Sequence, residues 1–312
     1  MQDVINIAIN LKKEPVIEVK NLHKSYKDFE AVKGISFTVY KGDVFGFLGP
    51  NGAGKSTTIR MLMTLIQPTS GEIRIFGKSL LTDRSNILNK IGAIVEKPDM
   101  YGYLSVFDNL KLLSRMSGQT ASSVKIMEIL ELVGLKDRAK SKVQTFSHGM
   151  KQRAGIAQAL IHDPELIILD EPTTGLDPQG MVEIRDLILR LSTDFKKTIL
   201  LSSHILNEVE LVANRMVIIN KGKVAVEGEV ETLLNTDDMK VTMEVTAVEK
   251  ALQLIKASTY QEYYRDCAGN KIIFQIKKER LSDLNRLMVE NGVDVISLVP
   301  MRSLEEYFLN LT

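Results

Sequence analysis

GPNGAGKS, residues Gly49–Ser56, fits the pattern GxxxxGK[ST], and its flanks decide how the pattern is read. Before it runs VFGFL (Val44–Leu48), which reads as a buried strand. After it comes TTIRML, the opening of a helix expected to run through Ile59 to Leu65. A strand, a glycine-rich loop and a helix in that order let consecutive backbone N–H groups face a phosphate. Lys55 then supplies a compact positive charge for the outer oxygens, and the Ser56 hydroxyl can ligate a magnesium ion.

Outward from this loop, short apolar runs alternate with helical stretches between about Pro15 and Glu229: EIRIF, LIILDEP, TILLSSH and MVIINKG. Such alternation predicts an α/β domain with a largely parallel sheet. Between about 98 and 162 no clear strand intervenes. Helical spacing at Val124, Met127, Ile129, Leu130 and Val133, with Gly134 as a stop, predicts a helical subdomain inserted in the core.

LIILDEP (Leu166–Pro172) ends a buried strand in two adjacent carboxylates. Asp170 is placed to hold magnesium directly or through water, which leaves Glu171 to orient and deprotonate an attacking water. General-base help of that kind is worth about 100- to 10,000-fold in rate, so Glu171 should matter for turnover far more than for binding. FSHGMKQR (Phe146–Arg153) reads as a second helix start: Ser147 is a good N-cap, and Gly149 lets another group approach the backbone.

After Thr232 the character changes. VTMEV and KIIFQI each put alternate apolar residues on one face, and Gly269 and Asn270 supply a hairpin turn after EYYR. With helices near Val248 to Ala257 and Leu281 to Glu290 and a strand from Val293 to Val299, the order is βαββαβ, as in a ferredoxin-like module. The expected organisation is an N-terminal tail over 1–14, an α/β domain over 15–235 and a small α+β ferredoxin-like domain over 236–312.

The chain has 312 residues, with 40 basic against 39 acidic side chains, so no basic stripe points to nucleic acid as a partner. The single cysteine, Cys267, excludes an intrachain disulfide, and the N-terminus lacks a signal-peptide pattern, so a reducing cytoplasm is expected. No apolar run approaches the roughly 20 residues that span a bilayer. A membrane role would have to be borrowed from another chain.

GPNGAGKS, FSHGMKQR, LIILDEP, TTGLDP and His204 in TILLSSH, in that order, resemble the ATPase subunit of ABC transporters over about residues 16 to 230. The resemblance implies a P-loop NTPase core of the ABC type with ATP and Mg²⁺ as cofactors. It implies a nucleotide site of Gly49, Asn51, Gly52, Ala53, Gly54, Lys55, Ser56 and Thr57, with Tyr26 of HKSYKD stacking on adenine. Catalysis would fall to Glu171, His204 and Lys55, and the metal to Ser56, Glu96 and Asp170. Two such domains, as a homodimer or as a heterodimer with a related ATPase, are expected to pair head to tail. Ser147 and Gly149 of one would then meet the ATP of the other, with Asp177 at the seam. A separate integral membrane permease would hold the cytoplasmic subunit on the inner face of the cell membrane.

The sequence departs from that family's pattern at two places. The signature helix usually opens LSGGQ and here carries Phe146, His148 and Met150; the common glutamine of the metal-sensing loop is Glu96, in IGAIVEKP. That second change resembles the subgroup that exports lantibiotics and bacitracin-like peptides. One added charge at roughly 5 Å is worth about 3 kcal/mol, attractive toward magnesium and repulsive toward phosphate. In MYGYLSVFDNL, the aromatics Tyr101, Tyr103 and Phe107 either pack beneath a helix start or form a socket for a permease helix. The competing reading is a soluble ABC ATPase in translation or DNA maintenance. Against it stand the single cassette, the missing coiled-coil insertion and the balanced charge.

Overall fold

The computed structural model describes residues 14–118, 120–234, 238–302 and Phe308. They divide into two compact units, the first ending at Gly228 and the second beginning at Glu229. The division expected after 235 falls at residues 235–237, which lie outside the described residues, as does the N-terminal tail up to residue 13.

The first unit opens with a long hairpin, β1 (Pro15–Tyr26) and β2 (Phe29–Tyr40), then β3 (Val44–Leu48), α1 (Lys55–Leu62), β4 (Ser70–Ile75), β5 (Lys78–Ser79), α2 (Arg84–Leu88) and β6 (Ile91–Ile94). The helical segment follows as α3 (Val106–Met116), α4 (Ser123–Leu132) and α5 (His148–Leu160). After it come β7 (Leu166–Leu169), α6 (Pro178–Thr193), β8 (Thr198–Ser203), α7 (Leu206–Glu210), β9 (Arg215–Asn220) and β10 (Lys223–Glu229).

The main sheet has the order β10-β9-β3-β8-β7-β6, and β9, β3, β8, β7 and β6 run parallel along it. Every residue of β3, β7 and β8 is buried, the uniform apolar signature of strands covered on both faces. EIRIF, read from sequence as part of this sheet, belongs elsewhere: β4 lies in a second, antiparallel sheet of order β2-β1-β4-β5. The reason is visible in its burial, where Ile73 and Ile75 face the core while Glu72 and Arg74 do not, as one-sided antiparallel strands require. Phe37 of the antiparallel sheet stacks on Phe45 at 5.7 Å and meets Phe47 at 5.2 Å, which welds the sheets through one core. α1 contributes Ile59 and Leu62 to that core and starts at Lys55, directly on the glycine-rich loop, to end at Leu62 and not Leu65.

The second unit contains α8 (Val230–Leu234), β11 (Asp238–Val245), α9 (Val248–Lys256), β12 (Tyr264–Ala268), β13 (Lys271–Lys277), α10 (Leu281–Glu290) and β14 (Val295–Arg302). Its strands order β12-β13-β11-β14, all neighbours antiparallel, which is the split βαβ arrangement of a ferredoxin-like module. Val241, Met243 and Val245 join Ile272, Phe274 and Ile276 against Ala251, Ile255, Leu284 and Met288 of the two helices. Among the described residues no helix is long and apolar enough to cross a membrane.

Candidate functional site

Because β3, β8, β7 and β6 are adjacent and parallel, their carboxyl ends bring four loops to one edge of the sheet, the usual place for a ligand in such folds. The phosphate loop leaves β3, Glu96 follows β6, Asp170 and Glu171 follow β7, and His204 follows β8. The spacing of residues along the chain thus becomes a cluster in space.

The phosphate loop is braced from beneath: Gly222 N donates to Ala53 O at 3.0 Å, and Lys33 N donates to Gly222 O at 2.7 Å. Gly54 precedes α1 with φ +109°, and a Cβ there would stand 2.8 Å from the Ala31 carbonyl, so the loop needs glycine at this point. Lys55 is buried, and its ammonium donates to Gly49 O at 2.7 Å and to Pro50 O at 3.2 Å, with Glu171 Oε1 at 3.4 Å. Ser56 and Thr57 are half-buried, while Asn51 and Gly52 are exposed at the tip.

Ser202 sets the two carboxylates after β7. Its hydroxyl donates to Asp170 Oδ1 at 2.6 Å and accepts Glu171 N–H at 2.9 Å. Glu171 adopts φ +47°, a left-handed conformation uncommon outside glycine, and points its side chain back over the loop. There Oε2 accepts Thr174 Oγ1 at 3.0 Å and lies 3.2 Å from His204 Nδ1. That imidazole nitrogen is buried without a hydrogen-bond partner, so the two groups sit at ion-pair distance but out of line for a bond. Burial pushes the Glu171 acidity toward the neutral form, yet Thr174, Lys55 and His204 together outweigh it and hold the carboxyl below its ordinary range.

Ser56, Glu96, Asp170 and Glu171 line one cleft of about 300 Å³. His148, Gln152, Lys97 and Thr174 line it as well, and sequence reasoning assigned no site role to these four. For His148 the available signal was the departure from the usual signature at that position; Gln152, one turn further along α5, carried no such mark. Glu96 has φ +69° and pairs with Arg60 of α1, which Glu96 in turn holds further toward its charged form. The added charge read from sequence is therefore compensated locally. Among the described residues no group of three or more His, Cys, Asp or Glu could hold a metal alone. Serine and carboxylate oxygens do suit a hard cation that keeps waters and phosphate oxygens as its remaining ligands, the usual habit of Mg²⁺.

Tyr26, Ser147, Gly149 and Asp177 are not among the residues that line this cleft. The Tyr26 ring is 45% exposed, with Lys24 Nζ 4.9 Å from its centroid. Ser147 caps α5 by accepting Met150 N–H at 3.3 Å, and His148 Nε2 lies 3.2 Å from the Thr174 carbonyl. Around Gly149 a Cβ would meet only Leu176 Cδ2, at 3.9 Å. Asp177 caps α6 by accepting Gly180 N–H at 3.2 Å.

The comparisons with known proteins decide the family. The ABC transporter family matches residues 32–174. The bacitracin transport ATP-binding protein BcrA of Bacillus licheniformis is 41% identical over 297 residues, 95% of this chain and 97% of that protein. This chain belongs to the ABC transporter ATP-binding proteins. The lantibiotic transport ATP-binding protein SrtF of Streptococcus pyogenes is 41% identical over 224 residues, 72% of this chain but 95% of that protein, so about a quarter of this chain has no counterpart there. Among solved structures, the dimeric ATP-binding cassette MJ0796 in a post-hydrolysis state with ADP and Pi superposes with TM-score 0.62 at 26% identity, covering 69% of this chain and 98% of that one. The ABC protein is thus a nucleotide-binding ATPase of a transporter, and the reading as a translation or DNA-maintenance factor falls away.

Proposed function

We propose that this ABC subunit energises export of peptide antibiotics through a separate membrane permease, by clasping ATP and Mg²⁺ between two cassettes arranged head to tail. The observation that carries the proposal is the open approach at Gly149 beside the capped start of α5. Among the described residues nothing demands glycine there, whereas a nucleotide presented by a second cassette would. Ser147 and the N–H groups of that first turn then face the terminal phosphate with the positive end of a helix. The relatives BcrA and SrtF are bacitracin and lantibiotic transport ATP-binding proteins, which supports a peptide substrate.

Within each site, Lys55 and the loop N–H groups hold the phosphates, and Tyr26 stacks on the base. Ser56, Asp170 and Glu96, once freed from Arg60, are the oxygens that would hold the metal. Bound Mg²⁺ would neutralise part of the phosphate charge. Glu171 takes the proton of the attacking water, His204 touches the terminal phosphate, and Asp177 stands at the seam. The permease would seat on the helical segment, where Phe107, Ser105, Asp108 and Met127 line a cavity of about 540 Å³. The exposed rings of Tyr101 and Tyr103 lie 5.8 Å apart in the segment just before α3. Full transport-coupled ATPase in a Tyr103→Ala, Phe107→Ala protein would remove that seat.

Glu171→Gln tests the assignment of the base. The variant should bind ATP as the wild type does and lose about 100- to 10,000-fold in kcat. Wild-type turnover would contradict it.

A further inference from the structure

Two hydroxyls, one from the turn after β7 and one from the last residue of β8, end on a single carboxylate oxygen. Glu208 Oε2 accepts Thr173 Oγ1 at 2.7 Å and Ser203 Oγ at 2.9 Å. Thr173 is the second residue after Glu171, and Ser203 immediately precedes His204. Ser203 is itself buried and works in three directions. Its hydroxyl donates to Glu208, the same oxygen accepts Ile205 N–H at 3.0 Å, and its carbonyl accepts the N–H of Gly49, the first residue of the phosphate loop, at 3.3 Å. The residues on either side of His204 are thereby pinned to one hydroxyl, and that hydroxyl is pinned to Glu208.

The carboxylate also has a firm seat. α7 buries Leu206 and Val209, and Val209 packs so closely on Gly46 of β3 that a methyl group at position 46 would overlap it. On its other side Glu208 and Thr173 share the wall of a cavity of about 230 Å³ with Pro172, Met181, Leu201 and Val212. Hydrogen bonds to a charged acceptor in such partly apolar surroundings are worth more than in water.

We propose that Glu208 is a positioning residue of the hydrolytic site, tying the turn that carries His204 to the turn that follows Glu171 so that both side chains meet the same phosphate. The proposal rests on the assignment of Glu171 and His204 given above. Glu208 reaches these residues through Ser203 and Thr173. Its loss should therefore affect the rate of the reacting geometry more than capture of ATP, which belongs to the phosphate loop. Misplacement by about 1 Å is enough to cost roughly 100-fold in a well-oriented reaction.

The test uses the full-length protein with Glu208→Ala, Glu208→Gln, Thr173→Val, Ser203→Ala and, in parallel, Glu171→Gln. Steady-state ATPase, binding of a fluorescent ATP analogue and thermal unfolding are measured for each. Glu208→Ala should lose about 10- to 100-fold in kcat, with KM and analogue affinity within about twofold of wild type. Glu208→Gln should recover most of the rate, because an amide oxygen can accept both hydroxyls. Thr173→Val combined with Glu208→Ala should be no slower than Glu208→Ala alone. Should Glu208→Ala not fold, the Thr173→Val and Ser203→Ala chains carry the same kcat prediction in smaller measure. Wild-type kcat in these variants, or equal losses in kcat and ATP affinity that Gln does not rescue, overturns the proposal. If Glu171→Gln turns over normally, the parent assignment is at fault. If it is inactive while Glu208→Ala is normal, only the clamp is.

Discussion

Glu171 is held between influences of opposite sign, and the balance has a consequence for pH. Burial disfavours its charge, while Thr174, Lys55 and His204 favour it and prevail. A depressed carboxyl is ionised throughout the neutral range, and what its ionised form contributes is lost only as pH falls through the lowered value. Removing one stabilising hydroxyl should move that point up. Thr174→Val is expected to shift the acid limb of kcat/KM toward neutral pH, and a pH–rate profile superimposable on the wild type would contradict the assigned cause. Glu96 carries a separate prediction. Glu96→Gln should raise the Mg²⁺ concentration needed for half-maximal ATPase, and an unchanged magnesium titration would remove Glu96 from the proposed ligands. The carboxylates and the lysine could be read from the chain because each must stand at a fixed distance from a strand end. Arg60 beside Glu96 and Glu208 beneath Ser203 could not. They join residues 36 and 5 positions apart through the shape of the fold, and neither pair has a spacing that marks it.

The helix that begins at Ser147 owes its place to a backbone approach. Gly92 of β6 lies so close to α5 that a methyl group there would overlap the Ala159 carbonyl, and Gly155 of the same helix packs on Pro98. Gly92→Ala should destabilise the protein by about 1–3 kcal/mol, read as a lower denaturant midpoint at unchanged slope. It should also shift the start of α5, so the loss in ATPase should exceed the loss in folded fraction. Strand periodicity located β3, β7 and β8 from sequence because strands buried on both faces are apolar throughout. The same rule misplaced β4, whose apolar residues alternate and therefore mark a one-sided antiparallel strand. The βαββαβ order of the second unit was legible for the complementary reason: Val241, Met243 and Val245 of VTMEV and Ile272, Phe274 and Ile276 of KIIFQI recur at every second position, and the structure buries them against two helices.

On the proposed reading, the molecule as a whole carries the two halves of a shared site at separate places. Lys55, Asp170, Glu171 and His204 gather at the carboxyl ends of one sheet, while Ser147 and Gly149 stand at a helix start that the described residues leave open. No sequence pattern states that such halves face different copies. That inference comes from the family and from the dimeric cassettes among the similar structures. Mixing two inactive chains tests it most directly, one carrying Lys55→Ala and the other Ser147→Arg. In a head-to-tail dimer the mixed pair contains one site with both faults and one with neither, so ATP hydrolysis should reappear on mixing although each chain alone is inactive. A mixture that forms dimers yet stays as inactive as its components would contradict the shared site.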